Sequence, residues 1–182
     1  MYDNGQGVKQ DYTEAVNWYR KAAEQGDARA QINIGIMYTS GQGVKQDYAE
    51  ATAWYEKASA RSRQVLAQQP GDSQAKTDLH DALTSLSWQY LFAQQFDKAK
   101  AAAEEGYALD NSSILVLGNL AHAEMFLGHS EAAQALYQKY MGQKIDDTRT
   151  WEGGVLEDFA EFRKVGLNNP LMPAIEKLLG RQ

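Results

Sequence analysis

Three histidines, His80, His122 and His129, are the imidazoles from which metal binding or general-base chemistry would start. His122 and His129 are separated by the Gly128 turn, so they do not share a helix face as metal ligands. His80 stands beside Asp78 and Asp81, the pattern of a solvated helix start. The 182-residue chain has no cysteine, which excludes thiolate metal sites, disulfide scaffolds and cysteine nucleophiles. It contains no Ser-centred nucleophile elbow, no phosphate-cradling glycine loop and no His-Glu-x-x-His motif. The glycine-rich segments Gly5-Gln6-Gly7-Val8 and Gly41-Gln42-Gly43-Val44 follow helices rather than strands, so they read as turns and not as dinucleotide loops. Glu104-Glu105, Glu131 and Asp146-Asp147 occupy surface-like positions, whereas acid–base catalysis needs a carboxylate in a desolvated cleft. The chain is therefore expected to be non-enzymatic, with no catalytic residue, metal or cofactor.

The elements that position these side chains follow from composition and punctuation. Lys and Arg number 18 against 24 Asp and Glu, a net charge of −6, and this balance argues against nucleic-acid binding. Four Trp, ten Tyr and five Phe supply a core and exclude disorder. No apolar run approaches the roughly 18 residues of a membrane span, and no signal-peptide pattern opens the chain. Only Pro70, Pro170 and Pro173 interrupt it. Proline costs a helix interior about 3 kcal/mol, so two long stretches are free to be helical. With no sustained strand-like alternation, the fold class is all-α.

Shifted by 36 residues, the chain repeats itself. Met1-Tyr2 falls on Met37-Tyr38, and Gly5 through Tyr12 falls on Gly41 through Tyr48. Glu14-Ala15, Trp18-Tyr19 and Lys21-Ala22 fall on Glu50-Ala51, Trp54-Tyr55 and Lys57-Ala58, giving 16 identities in 24 positions. Gly41 and Gly43 permit the reversal between helices, and Val44 can plug the turn from inside. Asp11 with Glu14, and Asp47 with Glu50, have the spacing of a capping box. Ala51, Trp54, Tyr55 and Ala58 then recur at helical spacing, with Trp as the inter-helix bulk.

Gly26-Asp27-Ala28, Ala30-Gln31, Ile34-Gly35, Tyr38, Gly41, Gly43-Val44, Asp47, Ala51, Trp54 and Lys57-Ala58 make the segment resemble the Sel-like repeat family, over residues 1–62. Beyond Pro70 the period becomes 34. Leu83, Leu86-Ser87, Tyr90, Phe96, Ala99, Gly106 and Leu109-Asp110, followed by Leu117, Leu120-Ala121, Gly128, Ala133, Leu136-Tyr137 and Tyr140, resemble tetratricopeptide repeats over 73–145. There Glu124 replaces an aromatic residue, and Asn111 stands where proline is common. The resemblances imply an α/α solenoid, a right-handed superhelix of antiparallel helix pairs. Sel-like repeats occupy 1–69, residues 70–72 form a break, tetratricopeptide-like repeats occupy 73–145, and a capping hairpin occupies 146–182. Trp151, Val155, Leu156, Phe159, Phe162 and Val165 form one stripe of that hairpin, and Ile175, Leu178 and Leu179 line its last helix. This hairpin is read as a cap or, alternatively, as a partner-docking element.

At the other end, Met1-Tyr2 aligns with the close of a repeat's first helix. An uncovered apolar face is therefore expected around Tyr12, Ala15, Tyr19 and Ala22. That face implies either that the chain continues a longer repeat protein or that it self-associates there.

Both resemblances imply protein binding, with the first helix of each repeat lining a concave groove. They place Arg29, Ile32 and Ile36 there from the Sel-like repeat, and Thr84, Trp88 and Leu91 from the next repeat. Leu115, Gly118, His122 and Met125 follow from the last. Thr84, Trp88, Gly118 and His122 stand where chaperone-binding relatives carry a Lys, Arg and Asn clamp for acidic peptide ends. A peptide or helix with apolar anchors is thus the expected partner. Trp88 is either a groove hot spot or packs on a neighbouring helix. The hydrolase activity linked to some Sel-like proteins goes with cysteine-rich repeats. The resemblance suggests a bacterial chain and leaves cytoplasm and periplasm both open.

Overall fold

A computed structural model describes residues 11–180. The helices are α1 (Tyr12–Glu24), α2 (Ala28–Ser40), α3 (Tyr48–Gln68), α4 (Ser73–Phe92), α5 (Phe96–Leu109), α6 (Ile114–Phe126), α7 (Ser130–Lys139), α8 (Trp151–Lys164) and α9 (Met172–Leu179). Among the described residues no strand forms, and Lys144 and Thr150 make one isolated antiparallel bridge. Among the described residues the fold class is all-α. Met1-Tyr2 and the first glycine-rich turn lie outside the described residues.

The chain divides into two compact units, residues 1–86 and 87–182. The division falls within α4 rather than at the Pro70-Gly71-Asp72 turn. The physical reason is that the first part of α4 is tied into the first unit by Asp78 and Asp81, which bind Arg29 of α2.

In the first unit, the repeated aspartates do the same work twice. Asp11 Oδ1 accepts the amides of Thr13 and Glu14 at 3.0 and 3.1 Å. Asp47 Oδ1 accepts those of Ala49 and Glu50 at 3.0 Å each. Each aspartate thereby satisfies two amides that a helix start leaves orphaned. Val44 packs onto the cluster of Ala15, Val16 and Met37, as its place in the turn predicts. Gly43 is needed twice over: its φ is +72°, and a Cβ there would overlap the Tyr12 carbonyl. Gly35 serves close approach, because the Tyr55 ring of α3 lies directly on it. Burial raises the Tyr55 phenol above its ordinary pKa, against hydrogen bonds to Thr39 and Ser85 that lower it.

The expected bare face of α1 is placed differently. Ala15 is buried, and Tyr12, Tyr19 and Ala22 pack partly against α2. The side chain left open is Trp18, 53% exposed.

In the second unit, Phe96 and Phe126 stack at 4.8 Å across α5 and α6. Asn119 donates to Ser87 Oγ at 2.8 Å. The C-terminal hairpin forms as α8 and α9, with Thr150 accepting the Gly153 amide and Pro173 in the first turn of α9. Its stripe is narrower than expected. Trp151, Val155, Phe159 and Phe162 are buried, whereas Leu156 and Val165 are exposed, since Leu156 falls off the stripe and Val165 is the C-cap.

Two glycines on helices separate close approach from spare room. A Cβ at Gly35 would come within 2.5 Å of the Tyr55 ring, whereas one at Gly118 would meet only Trp151 at 3.7 Å. Gly35→Ala is expected to destabilise by about 1–3 kcal/mol through overpacking. Gly118→Ala is expected to stabilise by about 0.5–1 kcal/mol, by removing backbone entropy from the unfolded chain. Urea unfolding of the two variants measures both signs.

Candidate interaction surfaces

Of the residues expected in a groove, Arg29, Ile32, Ile36 and Thr84 fall in the first unit. Arg29 is held rather than free. Its Nη2 lies 2.6 Å from Asp78 Oδ1, and its Nη1 donates to Asp81 Oδ2 at 2.6 Å. Asp78 is buried and also accepts from Gln74 at 2.9 Å. Two carboxylates on one guanidinium make a strong, directional staple between α2 and α4. Thr84 donates its hydroxyl to the His80 carbonyl at 2.9 Å. Ile32 is buried, and Ile36, one further turn along the same helix face, is 47% exposed. An open cleft of about 630 Å³ lies near Arg29, walled by Gly26, Arg61, Asp72 and Asp78. Its charged walls are already engaged: Arg61 donates to the Gly26 carbonyl at 3.1 Å, and Asp72 caps the Ala75 amide at 2.8 Å.

Trp88, Leu91, Leu115, His122 and Met125 fall in the second unit, and there the chain supplies its own occupant. Phe162 of α8 contacts four rings: Trp88 at 5.5 Å, Phe92 at 5.3 Å, His122 at 5.1 Å and Phe126 at 5.2 Å between centroids. Phe159 lies 5.7 Å from His122 and 5.9 Å from Tyr137. Trp151 donates its indole N–H to the Tyr137 carbonyl at 2.9 Å and packs over Gly118. Trp151 thus borders the room that Gly118 leaves. Asn169, beyond α8, donates to the Met125 carbonyl at 2.8 Å.

The structure corrects four of the expected groove residues. Ile32, Leu91, His122 and Met125 are buried core side chains; in the second unit α8 lies on the face that was read as open. Trp88 is half-buried and resolves as helix packing, on Phe92 and Phe162. Leu115 remains exposed.

His122 sits between Tyr137 Oη, 2.8 Å from Nδ1, and Asp158 Oδ2, 3.0 Å from Nε2. This has the connectivity of an acid–base relay. The ring is wholly buried, however, both nitrogens are engaged, and aromatic rings flank it, so no substrate atom reaches it. Burial and the nearby Asp158 charge push the Tyr137 phenol well above its ordinary pKa, keeping it a protonated donor. The network ties α8 to α6 and α7.

A second polar cluster joins α5, α6 and the following turn. Glu124 binds Lys100 Nζ at 2.9 Å and His129 Nδ1 at 2.5 Å. It thus explains the polar residue where the repeat pattern calls for an aromatic one. Among the described residues no group of His, Asp and Glu could hold a metal ion.

Sequence reasoning missed three participants: Trp18, Asp158 and the part Phe162 plays. The helical spacing of Trp151, Val155, Phe159 and Phe162 was a visible signal of burial, though not of what would be buried against it.

Burial tends to raise the Glu124 carboxyl, but hydrogen bonds and charge from Lys100 and His129 outweigh it and hold the pKa below its ordinary value. A depressed carboxylate contributes stability above its unfolded pKa of about 4.5, lost as pH falls through the folded value. Glu124→Gln is expected to weaken the protein at pH 7 and to flatten its loss of stability between about pH 5 and 3. Urea midpoints across that range check both effects.

The Sel1 repeat family model matches residues 1–27 and 28–62. No curated protein matches the chain. Among solved structures, a Sel1 repeat protein from Oxalobacter formigenes is similar, at 23% identity, 100% coverage of this chain, 77% of the other and a TM-score of 0.47. So is c5321, a protective antigen present in uropathogenic Escherichia coli strains and displaying an SLR fold, at 24% identity, with 98% and 42% coverage and a TM-score of 0.38. Among the described residues no helix is long and apolar enough to cross a membrane. Sel1 repeat proteins are generally protein-interaction scaffolds, and the match of this chain to that family's model is confined to residues 1–62.

Proposed function

We propose that the chain is a non-enzymatic protein-interaction module that takes a peptide or helix of its partner on the inner face of the first unit. One contrast carries this reading. The corresponding face of the second unit is filled by α8, while on the first unit Ile36 stays open at the end of α2. Tyr48, 55% exposed, stands at that same end. Gln46 Nε2 donates both to the Thr39 carbonyl, at 2.8 Å, and to Tyr48 Oη, at 2.9 Å, fixing the phenol beside the helix terminus. An aliphatic and an aromatic side chain presented on rigid helices suit an apolar anchor, because little side-chain entropy remains to be lost on binding. Arg29 closes the other end of this face and, neutralised by two aspartates, offers no clamp for an acidic peptide end.

A photo-crosslinking residue at position 36 is expected to capture the partner through one apolar-anchored helix or extended segment, identified by mass spectrometry of the adduct. The same residue at exposed Val165 is expected to give no adduct with that segment. Adducts from 165 and none from 36 would overturn the assignment.

A further inference from the structure

We infer that the occupant of the first unit's inner face is a helix of a partner chain, one that lays an aromatic ring on Ile36 and carries a Lys or Arg two turns before it. The inference rests on the inner-face reading and names its partner. The chain supplies the template. α2 and α6 are both helices of 13 residues, and in register Ile34-Gly35 of one falls on Leu120-Ala121 of the other. Ile36 then stands where His122 stands, Ile32 where Gly118 stands and Arg29 where Leu115 stands. On α6 these positions show what such a face receives. The Phe159 and Phe162 rings of α8 lie 5.7 and 5.1 Å from the His122 ring, and Trp151, two turns earlier on α8, borders Gly118.

On α2 the same positions ask for a different helix. Ile36 is 47% exposed and has no polar side-chain atom, so nothing there calls for the carboxylate that Asp158 offers His122. An aromatic ring is the matching anchor, because Gln46 holds the exposed Tyr48 phenol at this end of α2 and ring pairs are favourable beyond the area they bury. Ile32 is buried, which closes the middle of the face to a second ring. At Arg29 charge takes over. Asp78 and Asp81 both bind its guanidinium, so the trio carries one negative charge in excess. Asp78 is buried, whereas the Asp81 side chain is 36% exposed; its Oδ2 holds Arg29, which leaves Oδ1 for a cation. The net charge of −6 favours the approach of a basic segment. Arg29 and Ile36 are seven residues apart, about 10.5 Å along the helix axis. A helix lying along α2 covers that span with its residues i and i+7 on one side. An extended segment covers it in about three residues, which puts ring and cation on opposite sides. The spacing therefore selects a helix.

The test titrates the full chain with a peptide of residues 150–165, the α8 sequence, carrying Trp151→Ala, Glu152→Lys and Asp158→Ala. These changes remove the contacts peculiar to the second unit and set a cation seven residues before Phe159. A staple joining positions 156 and 160, both exposed on α8, enforces helicity. Calorimetry is expected to show saturable binding, with NMR shifts concentrated in α2. Ile36→Asp in the chain, confirmed folded by circular dichroism, is expected to weaken binding at least tenfold. Keeping Glu152 in the peptide is expected to weaken it severalfold at low salt. Absence of saturable binding overturns the proposal, and so does binding indifferent to Ile36→Asp or to the charge at position 152. If the titration fails while a crosslinker at position 36 captures an extended segment, the helix falls and the inner-face reading stands; with no adduct from 36, both fall. If the unaltered α8 sequence binds at Ile36 as tightly, the occupant is α8 of a second copy and the partner-chain assignment is overturned.

Discussion

The contact on which the second unit depends is the Phe162 ring, wedged among Trp88, Phe92, His122 and Phe126. Burying one such side chain is worth about 1.5–3 kcal/mol, and each favourable ring pair adds about 0.5–1.5 kcal/mol beyond area. No surface ion pair of α8 competes with that. Arg163 and Glu176 meet at 2.6 Å but remain in water, where such pairs contribute little. The aromatic wedge therefore decides where α8 lies. The polar contacts of His122, Asp158 and Trp151 then select its rotation, because each must find its partner or leave a polar atom buried without one.

That division of labour explains what could be read from the chain in advance. Helix starts at Asp11 and Asp47, the left-handed turn at Gly43, the Val44 plug and the all-α class are local or repetitive. A segment that recurs after 36 residues must solve the same packing problem twice, and its solution shows as identity. The fate of Trp88, His122 and Met125 is different in kind. Their neighbours Phe162, Asp158 and Asn169 lie far along the chain, outside any repeat, and no spacing rule connects them. Sequence patterning marked Trp151, Val155, Phe159 and Phe162 as buried but left the receiving face unidentified. It also placed the bare side of α1 one residue away from where it is. Tyr19 turns toward α2 and the residue before it, Trp18, turns out.

Three buried polar side chains in this protein are held by partners on other elements. Asp78 is buried because Arg29 and Gln74 satisfy it, Glu124 because Lys100 and His129 do, and His122 because Tyr137 and Asp158 do. In each case at least one partner comes from a different helix or turn. Removing one partner would strand a desolvated group. A catalytic site needs the reverse, a polar atom held with one coordination direction open toward solvent or substrate. The most relay-like cluster, at His122, has no such opening.

The two units meet one requirement of repeat architecture in different ways. A stacked helix pair leaves an apolar face at each end that must be covered. In the second unit, α8 and α9 close that face with Trp151, Phe159 and Phe162. In the first unit, Trp54 packs on Ala23, Ala30 and Ile34, whereas Trp18, its equivalent one repeat earlier, is 53% exposed. Lys21 Nζ lies 4.5 Å from the Trp18 ring centroid, as Lys57 Nζ lies 4.0 Å from that of the partly buried Trp54, so the indole has already met part of the ordering cost of an association. The exposed indole is thus better placed for association than a mobile surface aromatic would be. Among the described residues of the first unit, it is at Trp18 that the two copies of the repeat differ most plainly in burial.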